Sequence, residues 1–230
     1  MDEKTVPHHV AIIADGNRRF AKEKGLPSFE GHRRGFENIK LLSREGKKLG
    51  IRIMTFWIFS TENWDRDAEE VAYLMKLGER VIDSQIEEAI QNKTRIVHIG
   101  RKDRIPNVLR QKIENAEQKT KEFSEYYFVV ALDYGGRDEI MRAVQRANTQ
   151  NRGDRPLDDF LDTRILPYPN PDLIIRTGGE QRMSGFMTWQ SAYSEYYFAP
   201  EMFPVFGPHE FRLAIEAYTN RKRRFGKYAV

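Results

Sequence analysis

Four short stretches of this sequence could do chemistry on an anion. They read Asp15-Gly16-Asn17-Arg18-Arg19, Ser60-Thr61-Glu62-Asn63-Trp64, Asp133-Tyr134-Gly135-Gly136-Arg137 and Arg176-Thr177-Gly178-Gly179-Glu180. Glycines let a turning backbone aim its N–H groups at an anion, and a following helix adds its positive end. Arginine supplies a planar fork that matches phosphate oxygens. A carboxylate beside such a cradle suits magnesium, which favours one or two carboxylates plus ligand phosphates. Any one of these stretches alone is ordinarily just a turn at the end of a strand. Four of them on one edge point instead to a polyanion site.

Each stretch follows an apolar run. Residues 10–14, 51–59, 127–132 and 172–175 read as strands, as does 95–99. Helices are expected over 17–24, 31–49, 68–93, 106–123, 138–147 and about 210–220, with Asn17 capping the first. The long third helix rests on Val71, Leu74, Met75, Val81, Ile82, Ile86 and Ile90 at helical spacing. Such alternation predicts an α/β fold, a mainly parallel central sheet surrounded by helices. Ligands of such sheets bind beyond the carboxyl ends of the strands, where all four stretches lie. The polar stretch 149–162 is the expected irregular segment. With no repeat and no Gly- or Ser-rich linker, residues 1–230 read as one domain.

A chain of 230 residues is long enough for one sizeable core and short for two domains. Hydrophobic residues at 40% and charged ones at 31% exclude a disordered or fibrous chain. No apolar run approaches the roughly 18 residues that a membrane-spanning helix needs. The first residues lack the plan of a signal peptide, so a cytoplasmic location is expected. Without cysteine there is no disulfide framework, thiolate zinc site or thiol nucleophile. Lys plus Arg number 38 against 34 Asp plus Glu, a net charge of +4. That bias suits phosphates, membrane surfaces or nucleic acid and chooses none of them.

Longer motifs choose. Asp15-Gly16-Asn17-Arg18-Arg19-Phe20, Gly31-His32-Arg33-Arg34-Gly35, Phe59-Ser60-Thr61-Glu62-Asn63-Trp64-Asp65-Arg66 and Arg176-Thr177-Gly178-Gly179-Glu180-Gln181-Arg182 stand in that order, followed by Trp189, Tyr193, Glu195 and Phe198. In these motifs the chain resembles the cis-prenyltransferases, the undecaprenyl diphosphate synthase-like isoprenyl transferases, from about His9 to Gly226. The resemblance implies an enzyme that condenses isopentenyl diphosphate with an allylic diphosphate, using magnesium, in a fold with a hydrophobic tunnel. It further implies a homodimer, and transient membrane contact for a lipid product.

Residue by residue, the resemblance makes Asp15 a magnesium ligand that helps the allylic diphosphate leave, with Glu195 as the second metal carboxylate, able to serve a neighbouring subunit. Gly16, Asn17, Arg18, Arg19 and Arg66 would grip the allylic diphosphate, and Phe20, Ser28, Thr61, Glu62 and Trp64 belong to the same region. Arg176, Arg182, Met183 and Ser184 correspond to the isopentenyl diphosphate site. Ser60, Asn63 and His32 match positions associated with the proton lost in condensation, where Asn63, a poor base, would orient or relay. Alone, His32 reads as a helix-start histidine. Arg224-Phe225-Gly226 resembles the family's tail, expected to reach the diphosphate site across a dimer; without the resemblance, Arg221-Lys222-Arg223-Arg224 reads as a solvated basic end or a membrane-surface patch.

The chain departs from the family pattern at Ser28, where an arginine is usual, and at Arg18, where a glycine is usual. It departs again at Phe20, Gln181 and Asp133. Arg18 would compensate electrostatically for Ser28. Residues two apart on a strand share a face, so Ile58 and Phe56 should lie beneath Ser60. Bulk there, with Phe36 and Tyr126, predicts a short or medium product.

Two motifs read as decoys. Asp158-Asp159-Phe160-Leu161-Asp162 resembles the metal motif of the all-helical trans-prenyltransferases, but stands once, beside Pro156, and reads as a solvated helix start. His8-His9 is no metal pair, because neighbours on a strand point to opposite faces. The rival functions are a non-catalytic partner subunit of a heteromeric prenyltransferase, which should lack motif residues, and a basic nucleic-acid-binding protein. The second lacks a recognition motif and nearly cancels its positive charge, so no nucleic-acid partner is expected.

Overall fold

The computed structural model describes residues 6–221. Six strands form one parallel sheet: β1 His9–Ile13, β2 Ile53–Ser60, β3 Thr94–Ile99, β4 Tyr126–Tyr134, β5 Leu173–Arg176 and β6 Glu195–Phe198, in the spatial order β3-β4-β2-β1-β5-β6. The helices are α1 Asn17–Glu23, α2 Ser28–Lys48, α3 Ala68–Gln91, α4 Asn107–Thr120, α5 Gly136–Thr149 and α6 Pro208–Thr219. Strands buried on both faces read as near-continuous apolar runs, which is why β1 is buried at every position. One core cluster joins Val10, Ile12, Phe56 and Ile175 to α2 and α6, and a second joins Ala11, Ile13, Val129 and Ile174 on the opposite face. A third, around Phe59, Leu74 and Leu109, fastens α3 and α4 to the sheet.

The chain winds from β1 towards β2, β4 and β3 on one side, then returns to place β5 and β6 on the other. The strand order therefore reverses beside β1, where a ligand crevice is expected. Glycines set the close packing there. A Cβ at Gly31 would stand 2.0 Å from the Asn17 carbonyl oxygen, and one at Gly35 would stand 2.4 Å from Asn17 Oδ1, so Gly-His-x-x-Gly lets α2 lie directly on α1. Gly16 turns the chain from β1 into α1 with φ 104°, a conformation that favours glycine. Asn17 is the first helical residue rather than the cap; its Nδ2 donates to the Ala14 carbonyl at 3.1 Å.

Further readings of the sequence need correction. β6 was not expected, and α2 begins three residues early, at Ser28. Phe56 and Ile58 share a face as expected, but the strand's alternation ends at register shifts between Trp57 and Ser60, where Trp57 pairs with Ala131 and Phe59 with Leu132. This bulge turns both Ile58 and Phe59 toward α3. Asp158 and Asp159 do open a short 3-10 turn, but Asp162 is a half-buried anchor that accepts from Arg142, Arg146 and the Gly100 N–H. His8 and His9 diverge as expected: His9 is buried against Thr55 and the Tyr168 carbonyl, whereas His8 is exposed and stacks on Tyr168. No helix among the described residues is long and apolar enough to cross a membrane.

Candidate active site

Beyond the carboxyl ends of β1, β2 and β5 lies a cleft of about 430 Å³. Asp15, Gly16, Asn17, Arg18 and Arg19 form one wall, Arg176, Glu180, Arg182 and Ser184 a second, and Ser60, Asn63, Arg66 and His32 a third. Five arginines and two carboxylates line it, so the cleft carries a positive field able to concentrate polyanions.

Arg176 is the junction of these walls. Its side chain is 5% exposed; Nη2 donates to Asp15 Oδ2 at 2.9 Å, and Nη1 donates to Ser184 Oγ at 2.9 Å and to the Arg182 carbonyl. Its Nε is buried with no acceptor. A buried guanidinium donor without a partner is costly and fits a site that gains oxygen atoms from a ligand. Thr177 fastens the same strands, its hydroxyl donating to the Asp15 carbonyl and accepting from the Asp15 N–H. The Asp15 carboxylate takes the Gly16 N–H on Oδ1 at 2.6 Å, with Arg19 3.5 Å away. Arg19 also approaches Glu180 at 3.6 Å, and Glu180 pairs with Arg182. Each of these arginines has an internal counter-charge for which a diphosphate would compete.

The third wall centres on Glu70, which no motif marked. From the first turn of α3 its carboxylate meets Arg66 Nη1 at 3.0 Å, His32 Nε2 at 3.2 Å and Arg18 Nη1 at 3.6 Å. Burial lowers the pKa of His32, and Glu70 only partly opposes it, so the imidazole is neutral at pH 7. With the proton on Nε2 facing Glu70, Nδ1 keeps the lone pair. Asn63 Oδ1 accepts the Ser60 N–H at 3.1 Å, which leaves its amide group as a donor.

Other expected residues lie elsewhere. Thr61, Glu62 and Met183 line a neighbouring pocket of about 520 Å³ with Gly135, Gly136 and Arg137. Trp64 donates its indole N–H to Asp133, which is fully buried and also clasped by Arg104, so the fourth strand end is tied up internally. Phe20 is core, with Arg34 over its ring, and Ser28 is exposed at the start of α2. Ile58 borders both the cleft and a closed apolar passage of about 30 Å³ shared with Phe36 and Phe56, whereas Tyr126 sits beyond that passage. Glu195 pairs in register with Leu173, which pairs with Val10. It is thus about 16 Å down the strands from Asp15, at roughly 3.3 Å per residue, and is bonded to Arg221 at 2.6 Å. The tail motif Arg224-Phe225-Gly226 lies outside the described residues.

The chain is similar to known proteins over nearly its whole length. The family described as "Putative undecaprenyl diphosphate synthase" matches residues 13–226. The isoprenyl transferase of Thermotoga maritima is 43% identical over 226 residues, which cover 96% of this chain and 97% of that one. The ditrans,polycis-undecaprenyl-diphosphate synthase of Micrococcus luteus, (2E,6E)-farnesyl-diphosphate specific, is 40% identical, with 96% and 92% covered. The crystal structure of lavandulyl diphosphate synthase from Lavandula x intermedia, in complex with dimethylallyl diphosphate, superposes with a TM-score of 0.93 at 36% identity, covering 98% of this chain and 100% of that one.

Proposed function

The chain is an isoprenyl transferase of the undecaprenyl diphosphate synthase family, and from that premise we propose that its cleft condenses isopentenyl diphosphate with an allylic diphosphate into a short- or medium-chain cis (Z) polyprenyl diphosphate. The observation that carries this reading is the Arg176 junction, one guanidinium bonded both to Asp15 and to the Arg182–Ser184 segment. Two diphosphates seated on either side of it meet at one rim.

The allylic diphosphate sits on the Gly16–Arg19 turn, with Arg18 and Arg66 held toward it by Glu70. Isopentenyl diphosphate sits on Arg176, Arg182 and Ser184. Fixed donors already aimed at the departing diphosphate stabilise the charge that develops as its carbon–oxygen bond breaks. The carbon–carbon bond then forms to isopentenyl diphosphate. Ser60 and Asn63 orient the reacting ends, and the lost proton passes to the leaving diphosphate or to the lone pair of neutral His32.

Asp15 fits magnesium. It is a part-exposed carboxylate facing the cleft, placed to share an ion with diphosphate oxygens. The chemistry magnesium supplies when bound there is neutralisation of the leaving group. Glu195 is too far down its own sheet to join Asp15, so it takes part only in the site of a second copy, and a homodimer is the assembly we propose. Residues 1–230 act as one catalytic unit, in the cytoplasm, touching a membrane surface only to hand over a lipid product. A non-catalytic partner subunit would have no need of the cleft residues assembled here.

Product length follows from the passage, where Ile58 at the bulge narrows the way out of the cleft. The test is incubation with magnesium, isopentenyl diphosphate and allylic starters of several lengths, followed by chromatographic sizing. A short- or medium-chain Z product is expected. No prenyl product with any starter overturns the reading, and a dominant undecaprenyl-length product overturns its chain-length part.

A further inference from the structure

The passage does not end at Phe56. Gln85, Ile96 and Phe128 border both it and a vestibule of about 70 Å³ at the opposite edge of the sheet. Helices α2 and α3 form the side walls throughout, and they are tied together at both ends. At the cleft end His32 meets Glu70, and Phe29 packs on Tyr73 with 5.6 Å between ring centroids. At the far end Arg44 grips Glu88 with two parallel bonds, Nε to Oε1 at 2.5 Å and Nη2 to Oε2 at 2.9 Å, while Lys40 reaches the same carboxylate at 3.1 Å. One turn on, Lys47 Nζ donates to the Asn92 carbonyl at 2.5 Å and stands 4.4 Å over the Tyr126 ring.

A passage with about 30 Å³ of free space has room for only about two water molecules. An isoprenoid tail enters only if α2 and α3 part. The two ties are unequal. In the near one His32 is buried and Glu70 nearly so, and it belongs to the catalytic cleft. The far one is made by Arg44, 52% exposed, and Glu88, 21% exposed, and such surface pairs are individually weak and screened by salt. The far wall is also less uniformly apolar than the passage, with Ser43 Oγ buried and without a partner beside the strap. An apolar tail arriving there gains less than it gained in the passage.

We infer that the Arg44–Glu88–Lys40 cluster is a second product-length stop, an ionic strap across the distal end of the tunnel that limits chains which have passed Ile58. The inference rests on the prenyltransferase reading above. Its test compares products of the full-length enzyme, Ile58→Ala, and Ile58→Ala combined with Glu88→Gln, at one fixed ratio of isopentenyl diphosphate to starter. Ile58→Ala should lengthen the product. Adding Glu88→Gln should raise the fraction longer than the Ile58→Ala maximum about fivefold, the effect of losing a networked surface ion pair. The charge swap Arg44→Glu with Glu88→Arg, in the Ile58→Ala background, should restore the shorter limit. Raising salt to about 1 M should lengthen the products of Ile58→Ala and leave those of Ile58→Ala/Glu88→Gln unchanged. The thermal midpoint of each variant separates these effects from misfolding.

If Ile58→Ala lengthens the product while Glu88→Gln and salt add nothing, the strap is overturned and the prenyltransferase reading stands. If Ile58→Ala fails to lengthen it, both length controls are overturned. Absence of any prenyl product from the unmodified enzyme overturns the function itself.

Discussion

Replacing Arg176 by glutamine removes the guanidinium where the cleft walls meet. It makes two bonds of 2.9 Å, to Asp15 and Ser184, and a third to the Arg182 carbonyl, and keeps a buried Nε unpaired. Charge-assisted bonds to a bound diphosphate contribute roughly 1.5–3 kcal/mol each. Losing two of them lowers kcat/KM for isopentenyl diphosphate by about 10²- to 10⁴-fold. The stability cost is smaller, because the Asp15 side chain is 31% exposed and water compensates it. We expect about 1 kcal/mol rather than the 3–5 kcal/mol of a fully buried broken pair, or a shift of about 2–4 °C in thermal midpoint for a chain of this size. The assay is the initial rate of isopentenyl diphosphate incorporation against its concentration, at saturating allylic diphosphate, with circular dichroism melting as control. Arg176→Lys, which keeps the charge and loses the fork, should fall between the two. A folded Arg176→Gln enzyme within about fivefold of the parent would refute the reasoning, since the junction would then carry no ligand.

Other outcomes follow from the same geometry. Arg18→Gly should raise the apparent KM for the allylic diphosphate about fivefold or more, one exposed charge–phosphate contact, with Ser28→Arg restoring it; an unchanged KM would mean Arg18 compensates for nothing. Chelation with EDTA should abolish turnover and leave the thermal midpoint unmoved, because no protein cage among the described residues depends on the ion; a large fall in midpoint would contradict that. Burial lowers the pKa of His9 and of His98 to about 4, from an ordinary value near 6.5. Between those values the unfolded chain binds protons that the folded chain does not, so stability is lost as pH falls from about 6.5 through 4, by up to about 1.4 kcal/mol per pH unit for each histidine. Denaturant midpoints at several pH values should show this slope, and a flat profile would count against it.

Much of this molecule is written in local patterns. The four strand ends were legible because glycine, arginine and carboxylate gather after apolar runs, and parallel strands deliver such ends to one edge. Which ends share a cavity was not legible. Asp133 has the same local signature as Asp15, yet Arg104 and Trp64 take up its carboxylate, and both contacts are long-range. Glu70 was missed because an acidic residue in a helix's first turn is common for electrostatic reasons alone. Only folding shows Arg18, Arg66 and His32 converging on it. β6 escaped because four residues after an irregular segment give periodicity nothing to work on, although Tyr196, Tyr197 and Phe198 have strong strand preference. Asp162 shows the reverse error. Its exposed neighbours Asp158 and Asp159 suggested a solvated turn, while two arginines on α5 draw it inward.

The central claim is one of place, that two diphosphates meet at the carboxyl ends of β1 and β5. A crystal structure of the enzyme with magnesium, isopentenyl diphosphate and an unreactive thio-analogue of the allylic diphosphate decides it. The account predicts one diphosphate on the Gly16–Arg19 turn, the other on Arg176 and Arg182, and the ion at Asp15. Density for the diphosphates in the pocket of Gly135, Gly136 and Arg137, with Arg176 still bound only to Asp15, Ser184 and the Arg182 carbonyl, would contradict it.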